Sequence, residues 1–347
     1  MPDAQTKRPT LNDVARLAGV SYQTVSRVIN NHPNVARRTR DRVVAAIRSL
    51  DYRPNQAAQV LATGRSHTLQ LLTYDLEYYE PLSKMVHAAK QLGYAMTVAE
   101  FRYDVEKIPL LEALESLSTR MIDGVVIITP YTVPTFDEMQ EASQALPLVV
   151  TGTKMGAQVP SVVFDQRAGT ELALNHILSL GHRQIAEISG PREAHPGRNY
   201  CGHWDAVIRH QTLQDQLAAH GLTPGSSVQG DFSIEGGYRA AQALLTHKNP
   251  FTAIVVGNDR MALGALRALR EHSIRVPDDV SVVGYDDMSE AAYFDPPLTT
   301  VRQDLTLLCR ESVQYLIAMI DDHATSIHQR VLYPELVVRE STRAIEG

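Results

Sequence analysis

The stretch TLNDVARLAGVSYQTVSRVIN, residues 10–30, leaves this chain few ways to fold at its start. Leu11, Val14, Ala15 and Ala18 recur at i, i+3, i+4 and i+7, which puts them on one face of a helix. Thr10 is placed to cap that helix, with Asp13 three residues on in a weak form of the capping box. Gly19 supplies the turn, because glycine tolerates the backbone angles that end a helix sharply. Ser21 can cap a second helix whose Val25, Val28 and Ile29 pack back on the first. Tyr22, Gln23, Ser26 and Arg27 then face outward near its start. Helix, glycine turn, helix is the pattern whose second helix enters a major groove and reads base edges with its N-terminal residues. An ordinary helical hairpin with a polar face is the alternative this stretch alone leaves open.

The side chains suit the groove. Arg27 can offer paired donors to a guanine, and Gln23 can bond an adenine edge. Tyr22 brings a ring for apolar contact and a hydroxyl. A third helix is expected from about Thr39 to Leu50, with Val43, Ile47 and Leu50 at helical spacing. Arg37, Arg38, Arg40 and Arg42 cluster at its start, where cations oppose the helix dipole. Phosphate contact explains them better than helix stability does; a solvated basic face is the rival reading.

Charge distribution supports this. Residues 1–68 hold 11 Lys/Arg against 4 Asp/Glu, a net of +7, and the remainder holds 22 against 35, a net of −13. A basic head on an acidic body confines the electrostatic footprint for phosphates to the head. Next comes RPNQAAQVLATGRS, residues 53–66, where Asn55 can cap a helix running to about Ala62. At about eight residues such a helix is too short to stand alone in water, so it should order only when something holds it. Leu61 has few local apolar partners and is of a type that proteins wedge between base steps in a minor groove. A plain linker is the alternative.

The rest of the chain, long enough for two or three domains, reads as α/β. Apolar strand-like runs at 69–74, 94–99, 124–129, 147–151, 185–189, 252–257 and 280–284 alternate with helical segments. One such helix, about Leu82–Leu92, groups Leu82, Met85, Val86 and Ala89; another, about Arg260–His272, groups Met261, Ala265, Leu266 and Leu269. Strands separated by helix lengths argue for parallel sheets, whose ligands bind beyond the carboxyl ends of the strands. Asn258 and Asp259 follow one such run and Asp286 another. An amide and a carboxylate converging on a cleft suit a polyhydroxylated ligand. Asp259 is the expected cap of the following helix.

These motifs carry a resemblance. AGVSYQTVSRVIN, RPNQAAQVLA, GNDRMALGAL, DVSVVGYDD and PPLTTVRQDL together resemble the lactose-repressor family of bacterial transcription regulators over residues 8–340. The resemblance implies a small all-α helix-turn-helix head plus an α/β periplasmic-binding-protein-like body of two parallel-sheet subdomains. It divides the chain into a DNA-binding domain at 8–53, a hinge helix and linker at 54–66, and an effector-binding and dimerisation domain at 69–341. Subdomain 1 would hold about 69–164 and 303–332, subdomain 2 about 165–302 and 333–341, with three crossings. It makes Tyr22, Gln23 and Arg27 the base readers and Ser21, Thr24, Ser26, Arg37, Arg38 and Thr39 the backbone contacts. Asn55, Ala58 and Leu61 become the minor-groove residues of the hinge, with Leu61 intercalating.

For the effector site the resemblance adds Phe164 and Gln303 to Asn258 and Asp286, and places Phe232 where a sugar-binding member carries tryptophan. Departures are informative. Asn199 stands where members commonly have an arginine, with Arg198 beside it, and Gly152 replaces a ligand-binding aspartate. After the first strand, Tyr74, Asp75, Tyr78 and Tyr79 form a rim more polar and aromatic than the apolar one of that sugar-binding member. The expected effector is therefore a mono- or oligosaccharide. The function implied is a repressor of carbohydrate-utilisation genes released from a pseudo-palindromic operator by that saccharide. A co-repressor-dependent regulator sensing a purine or phosphorylated metabolite is the alternative, and a transport-type sugar-binding protein a more distant one.

Several classes are set aside. No apolar run approaches the roughly 18 residues of a membrane span, and MPDAQTKRPT lacks the apolar core of a signal peptide, so a cytoplasmic, nucleoid-associated protein is expected. Cys201 and Cys309 are expected to be reduced, packed thiols. His195, Cys201 and His203 match no zinc template, so neither a metal nor a cofactor is expected. Trp204 is core or pocket wall. G-x-S-x-G, H-E-x-x-H and G-x-x-x-x-G-K-[ST] do not occur, and no enzyme is expected. The chain ends at AIEG without the leucine-heptad helix of tetrameric members, which favours a homodimer.

Overall fold

At the head of the chain, three helices form where the apolar spacing requires: α1 (Leu11–Ala18), α2 (Tyr22–Ile29) and α3 (Arg37–Ser49). Thr10 and Asp13 make a full capping box at the start of α1, the Thr10 hydroxyl accepting from the Asp13 amide and the Asp13 carboxylate from the Thr10 amide at 2.9 Å. Gly19 ends α1 at φ 60°, a left-handed conformation open to glycine. The Ser21 hydroxyl accepts from the Thr24 amide at 3.2 Å and so caps α2. Val14, Ala18, Val25, Val28, Val43, Ala46 and Tyr52 close the small core.

One expectation changes here. Arg40 and Arg42 are not simply phosphate-facing. Arg42 donates to the carbonyls of Ala18 and Gly19, and Arg40 to that of Val28 at 3.4 Å. Both guanidiniums therefore satisfy carbonyls at the C-terminal ends of α1 and α2, where cations are favourable.

This computed structural model describes residues 9–29, 34–52, 64–74, 76, 79–101, 109–117, 121–129, 134–152, 159–192, 203–223, 225–247, 249–322 and 328–345. The chain divides into two compact units, Met1–Ser66 and His67–Gly347. Among the described residues, the second unit contains two six-stranded sheets. The first is built from β1 (Thr68–Thr73), β2 (Ala95–Glu100), β3 (Gly124–Ile128), β4 (Leu148–Thr151), β5 (Ser161–Phe164) and β11 (Gln329–Leu332). Their spatial order is β11-β5-β4-β3-β1-β2, parallel throughout. The second contains β6 (Ile185–Ser189), β7 (Ser227–Gln229), β8 (Ala253–Val256), β9 (Ser281–Asp286), β10 (Thr299–Arg302) and β12 (Glu335–Val337). Its order is β12-β10-β9-β8-β6-β7, with only β12 antiparallel.

Helices cover the faces: α4 (Tyr79–Gln91), α5 (Pro109–Glu115), α6 (Phe136–Ala142), α7 (Gln166–Ser179), α8 (Trp204–Ala219), α9 (Ile234–Thr246), α10 (Asp259–Glu271) and α11 (Leu305–Asp321). Central strands such as β3 and β4 are buried at every position, which is why they read as unbroken apolar runs rather than alternating ones. The chain crosses between sheets three times: after Phe164, after Arg302, and between Leu332 and Glu335. Close packing fixes the first sheet against α11, since a Cβ at Gly124 would lie 2.9 Å from Leu316.

Two helix details correct the sequence reading. Val86 is 38% exposed, on the solvent side of α4 rather than with Leu82, Met85 and Ala89. The cap of α10 is Asn258, whose side chain accepts from the Met261 amide at 2.8 Å; Asp259 is the first helical residue and turns inward. No helix among the described residues is long and apolar enough to cross a membrane.

Candidate functional site

On the head, α2 presents Tyr22 (51% exposed) and Gln23 in its first turn and Arg27 in its last to solvent, while Val25 and Val28 of the same helix are buried. Ser21, Arg37 and Arg38 are also exposed, and Thr24, Ser26 and Thr39 half-buried. Ser21 and Thr24 bond one another at 2.9 Å as well as forming the cap. The polar groups thus stand at the N-terminal end of α2 and the basic ones in its last turn and at the start of α3, with the apolar ones behind them. The hinge candidates Asn55, Ala58 and Leu61 lie outside the described residues.

In the second unit a cleft of about 560 Å³ opens between the carboxyl ends of the two sheets. Tyr74, Phe164, Phe232, Asn258, Asp286 and Gln303, dispersed over 230 positions of sequence, all line it. They arrive there because each follows or ends a parallel strand or crossover. Asp75, Arg198 and Asn199 lie outside the described residues; Tyr79 begins α4, with its side chain likewise outside them. Trp204 belongs to the cleft wall. Gly152 also lines the cleft, at φ 91°, and a Cβ there would meet the Thr129 carbonyl oxygen at 2.9 Å. The position of a family aspartate is therefore closed to a side chain in this backbone.

One wall is aromatic. The His203 ring stands edge-on to Phe232 at 4.9 Å and to Tyr74 at 6.2 Å, separations typical of T-shaped pairs. Burial lowers the His203 pKa below its ordinary value, against the pull of Asp205, which keeps the ring uncharged in neutral solution. Phe232 fits because Gly190 has no side chain: a Cβ there would lie 2.3 Å from the ring.

The floor is polar, and its amides are already committed. Asn258 caps α10 with its oxygen and donates its nitrogen to the Phe232 carbonyl at 3.2 Å. Gln303 donates to Asp286 Oδ1 at 2.8 Å and accepts from Gln166 Nε2 at 2.9 Å. Both residues expected to bond an effector through their amides thus border the cleft with those amides in use. Asp286 remains half-buried at φ 113°; burial raises its pKa to about 6, while Arg209 pulls it down. Asp259 lies behind the floor, accepting from the Met288 amide at 2.9 Å and the Thr300 hydroxyl at 2.6 Å. Burial, then the Asp286 charge, pushes it up to about 8.

Arg209 is the residue the sequence reading missed. It lies on the inner face of α8 among Ala206, Leu213 and Leu217, with its side chain 8% exposed. A cation at i+3 and i−4 of an apolar stripe was the visible signal. Its guanidinium stacks 3.7 Å above the Tyr285 ring and reaches Gln166, the Gly257 carbonyl and Asp205. Cys309 also lines the cleft, its thiol pushed up to about 12 by burial and hence protonated. Among the described residues no group of His, Cys, Asp and Glu has metal-binding geometry.

Comparisons with known proteins cover both units of the chain. Residues 10–55 match the model of bacterial regulatory proteins of the lacI family, and residues 174–342 that of periplasmic binding protein-like domains. The lactose operon repressor of Escherichia coli (strain K12) is 35% identical over 343 residues, 97% of this chain and 92% of that protein. The crystal structure of the lac repressor dimer bound to operator and the anti-inducer ONPF superposes with a TM-score of 0.81 at 34% identity, covering 97% of this chain and 100% of that one. A complex of the transcriptional regulator CelR with cellobiose gives 0.69 at 32% identity, over 96% and 100%. The HTH-type transcriptional repressor PurR of Haemophilus influenzae (strain PittEE) is 31% identical over 344 residues, 97% of this chain and 99% of that protein.

Proposed function

The chain belongs to the lacI family of bacterial regulatory proteins, DNA-binding transcriptional repressors, and we propose that it controls carbohydrate-utilisation genes under a saccharide effector. Two copies present their heads to a pseudo-palindromic operator, Tyr22, Gln23 and Arg27 reading base edges while Arg37 and Arg38 meet phosphates. Half-sites on one face of the duplex, about one helical turn or a multiple apart, match such a pair. The saccharide enters the cleft and favours the arrangement of the two lobes in which the heads leave the operator. A ligand shifts that equilibrium only by its differential affinity for the two arrangements. The protein acts by binding alone, without catalysis, in the compartment that holds the chromosome.

The observation that carries the effector class is the make-up of the cleft. Its described lining holds four carboxylates, Glu100, Asp205, Asp231 and Asp286, against two guanidiniums, Arg209 and Arg260. Arg209 is already bonded to protein acceptors. Carboxylates accept hydroxyl hydrogens and repel phosphates, while the Tyr74–His203–Phe232 wall offers ring faces and edges to the apolar side of a pyranose. A neutral polyol fits; a phosphorylated metabolite meets net negative charge. The cellobiose complex of a 32% identical relative supports the same class.

A thermal-shift screen of the full chain against neutral saccharides, nucleobases and sugar phosphates tests this. A ligand at a hundred times its Kd adds about 2.7 kcal/mol of stability to the state that binds it. The proposal expects stabilisation by a neutral saccharide, lost in Asp286→Asn. Stabilisation by a nucleobase or a sugar phosphate alone contradicts it.

A further inference from the structure

Arg209 calls for a reason beyond packing. A guanidinium in an apolar helix face loses its hydration, and it persists only where every direction is satisfied. Here Nε donates to Gln166 Oε1 at 2.9 Å, one terminal nitrogen to the Gly257 carbonyl at 2.6 Å, and the other to Asp205 Oδ2 at 3.3 Å. That last nitrogen also stands 3.9 Å from Asp286 Oδ1. Gln166 passes the connection on to Gln303 at 2.9 Å, and Gln303 to Asp286 Oδ1 at 2.8 Å. The four side chains make a closed circuit. Among the described residues, Asp286 Oδ2 has no protein donor.

Its place in the fold is specific. Gln166 opens α7 immediately after the first crossing, and Gln303 follows β10 at the second. The Gln166–Gln303 bond therefore links two of the three segments on which the relation of the lobes depends. Amides of this kind must present nitrogen to one neighbour and oxygen to the other, so the circuit has one sense, set by the donor-only guanidinium.

We propose that Arg209 is the positioning residue of the effector cleft, holding Asp286 charged with Oδ2 free for an effector hydroxyl and, through Gln166 and Gln303, coupling occupancy of Asp286 to both crossovers. Asp259, kept protonated by burial, adds no charge beside Asp286, and Asp287 is paired with Arg302 and Arg339. The carboxylates left facing Asp286 are Asp205 on α8 and Glu80 on α4, beside Tyr285. Arg209 is the cation set against them. Without it the carboxyl would retain its proton and lose the oxygen's strength as an acceptor. An effector that takes Oδ2 alters the charge felt by Arg209 and the pull on Gln303, and the strain arrives at both crossovers together. The inference rests on the reading of the cleft as the effector site.

The test uses the ligand-free full chain. Carbon-13 carboxyl labelling of aspartate, with the Asp286 signal assigned by Asp286→Asn, is followed from pH 4 to 8. In Arg209→Met the Asp286 midpoint should rise by at least about one pH unit, and Arg209→Lys should recover part of the shift. In Gln166→Leu the charge stays, the midpoint moves less, and amide hydrogen exchange should accelerate together at 164–168 and 302–306. An unchanged midpoint in folded Arg209→Met, or unchanged exchange at either crossover in Gln166→Leu, overturns the proposal. Should Arg209→Met fail to fold, the paired exchange in Gln166→Leu decides alone. Because no ligand is present, these results separate from the saccharide screen: a shifted midpoint in a protein blind to saccharides keeps the circuit and removes the effector reading.

Discussion

Arg27 and Arg42 are both guanidiniums of the head, yet the structure gives them different work. Arg27 is exposed at the outward face of α2, while Arg42 is tied to the end of α1. Arg27→Ala should cost about 1–3 kcal/mol of operator binding and relax base choice at one position, as removal of a base-reading pair does. Selection of binding sites from a random duplex pool checks it, and an unaltered consensus would count against the assignment. Spacing marked Arg27 as outward-facing but could not show the partners of Arg42, carbonyls 24 and 23 positions away that come to it only in the fold. The same limit applied to Asn258 and Asp259. Either residue type caps helices well; what chose Asn258 was the Thr300 hydroxyl and Met288 amide waiting inside for Asp259, partners 41 and 29 positions away. Arg209 was missed for a related reason. Two of its three acceptors lie 43 and 48 positions away, and only the tertiary fold brings them to it.

At the scale of elements, Arg42→Met should weaken the join between α3 and the α1–α2 turn. An exposed charged hydrogen bond of this kind contributes about 1 kcal/mol, so amides of α1 and α2 should exchange roughly fivefold faster than in the unaltered chain. Equal exchange would show that the core alone holds the turn. At the ends of β9 and α10, Asp259 and Asp286 have folded pKa values of about 8 and about 6, both above an ordinary aspartate. A raised carboxyl pKa means the folded state binds more protons than the unfolded one. Their contribution is thus fully present below about pH 4 and is lost as pH rises to about 8. Asp259→Asn should flatten the part of that decline above pH 6, measured by thermal unfolding across pH; an unchanged slope would refute the burial argument. Long helices and most wholly buried strands were legible, while β5, buried at all four positions, was not read because SVVF is too short a run to stand out. The runs at 124–129 and 252–257 became β3 and β8 because strands covered on both faces carry unbroken apolar sequence. β7 and β12, three residues each and partly exposed, have no such signature.

For the whole molecule, the charge asymmetry and the motifs made the family and fold class readable, and the fold then explains what the motifs could not. A cleft is assembled from strand ends scattered over the chain, and the two amides the sequence marked as ligand contacts line it while also bonding to its framework. In this account the acidic, aromatic cleft receives a neutral saccharide, Asp286 is its acceptor, and the relation of the lobes carries the message to a basic head. The most direct test is the affinity of the full chain for a lactose-type pseudo-palindromic operator, measured by fluorescence anisotropy at fixed salt, with and without each saccharide that stabilises the protein. The account predicts at least about a tenfold loss of operator affinity, equivalent to about 1.4 kcal/mol of coupling, and its disappearance in Asp286→Asn. Operator affinity unmoved by every saccharide, or tightened by a purine or phosphorylated ligand, would contradict it.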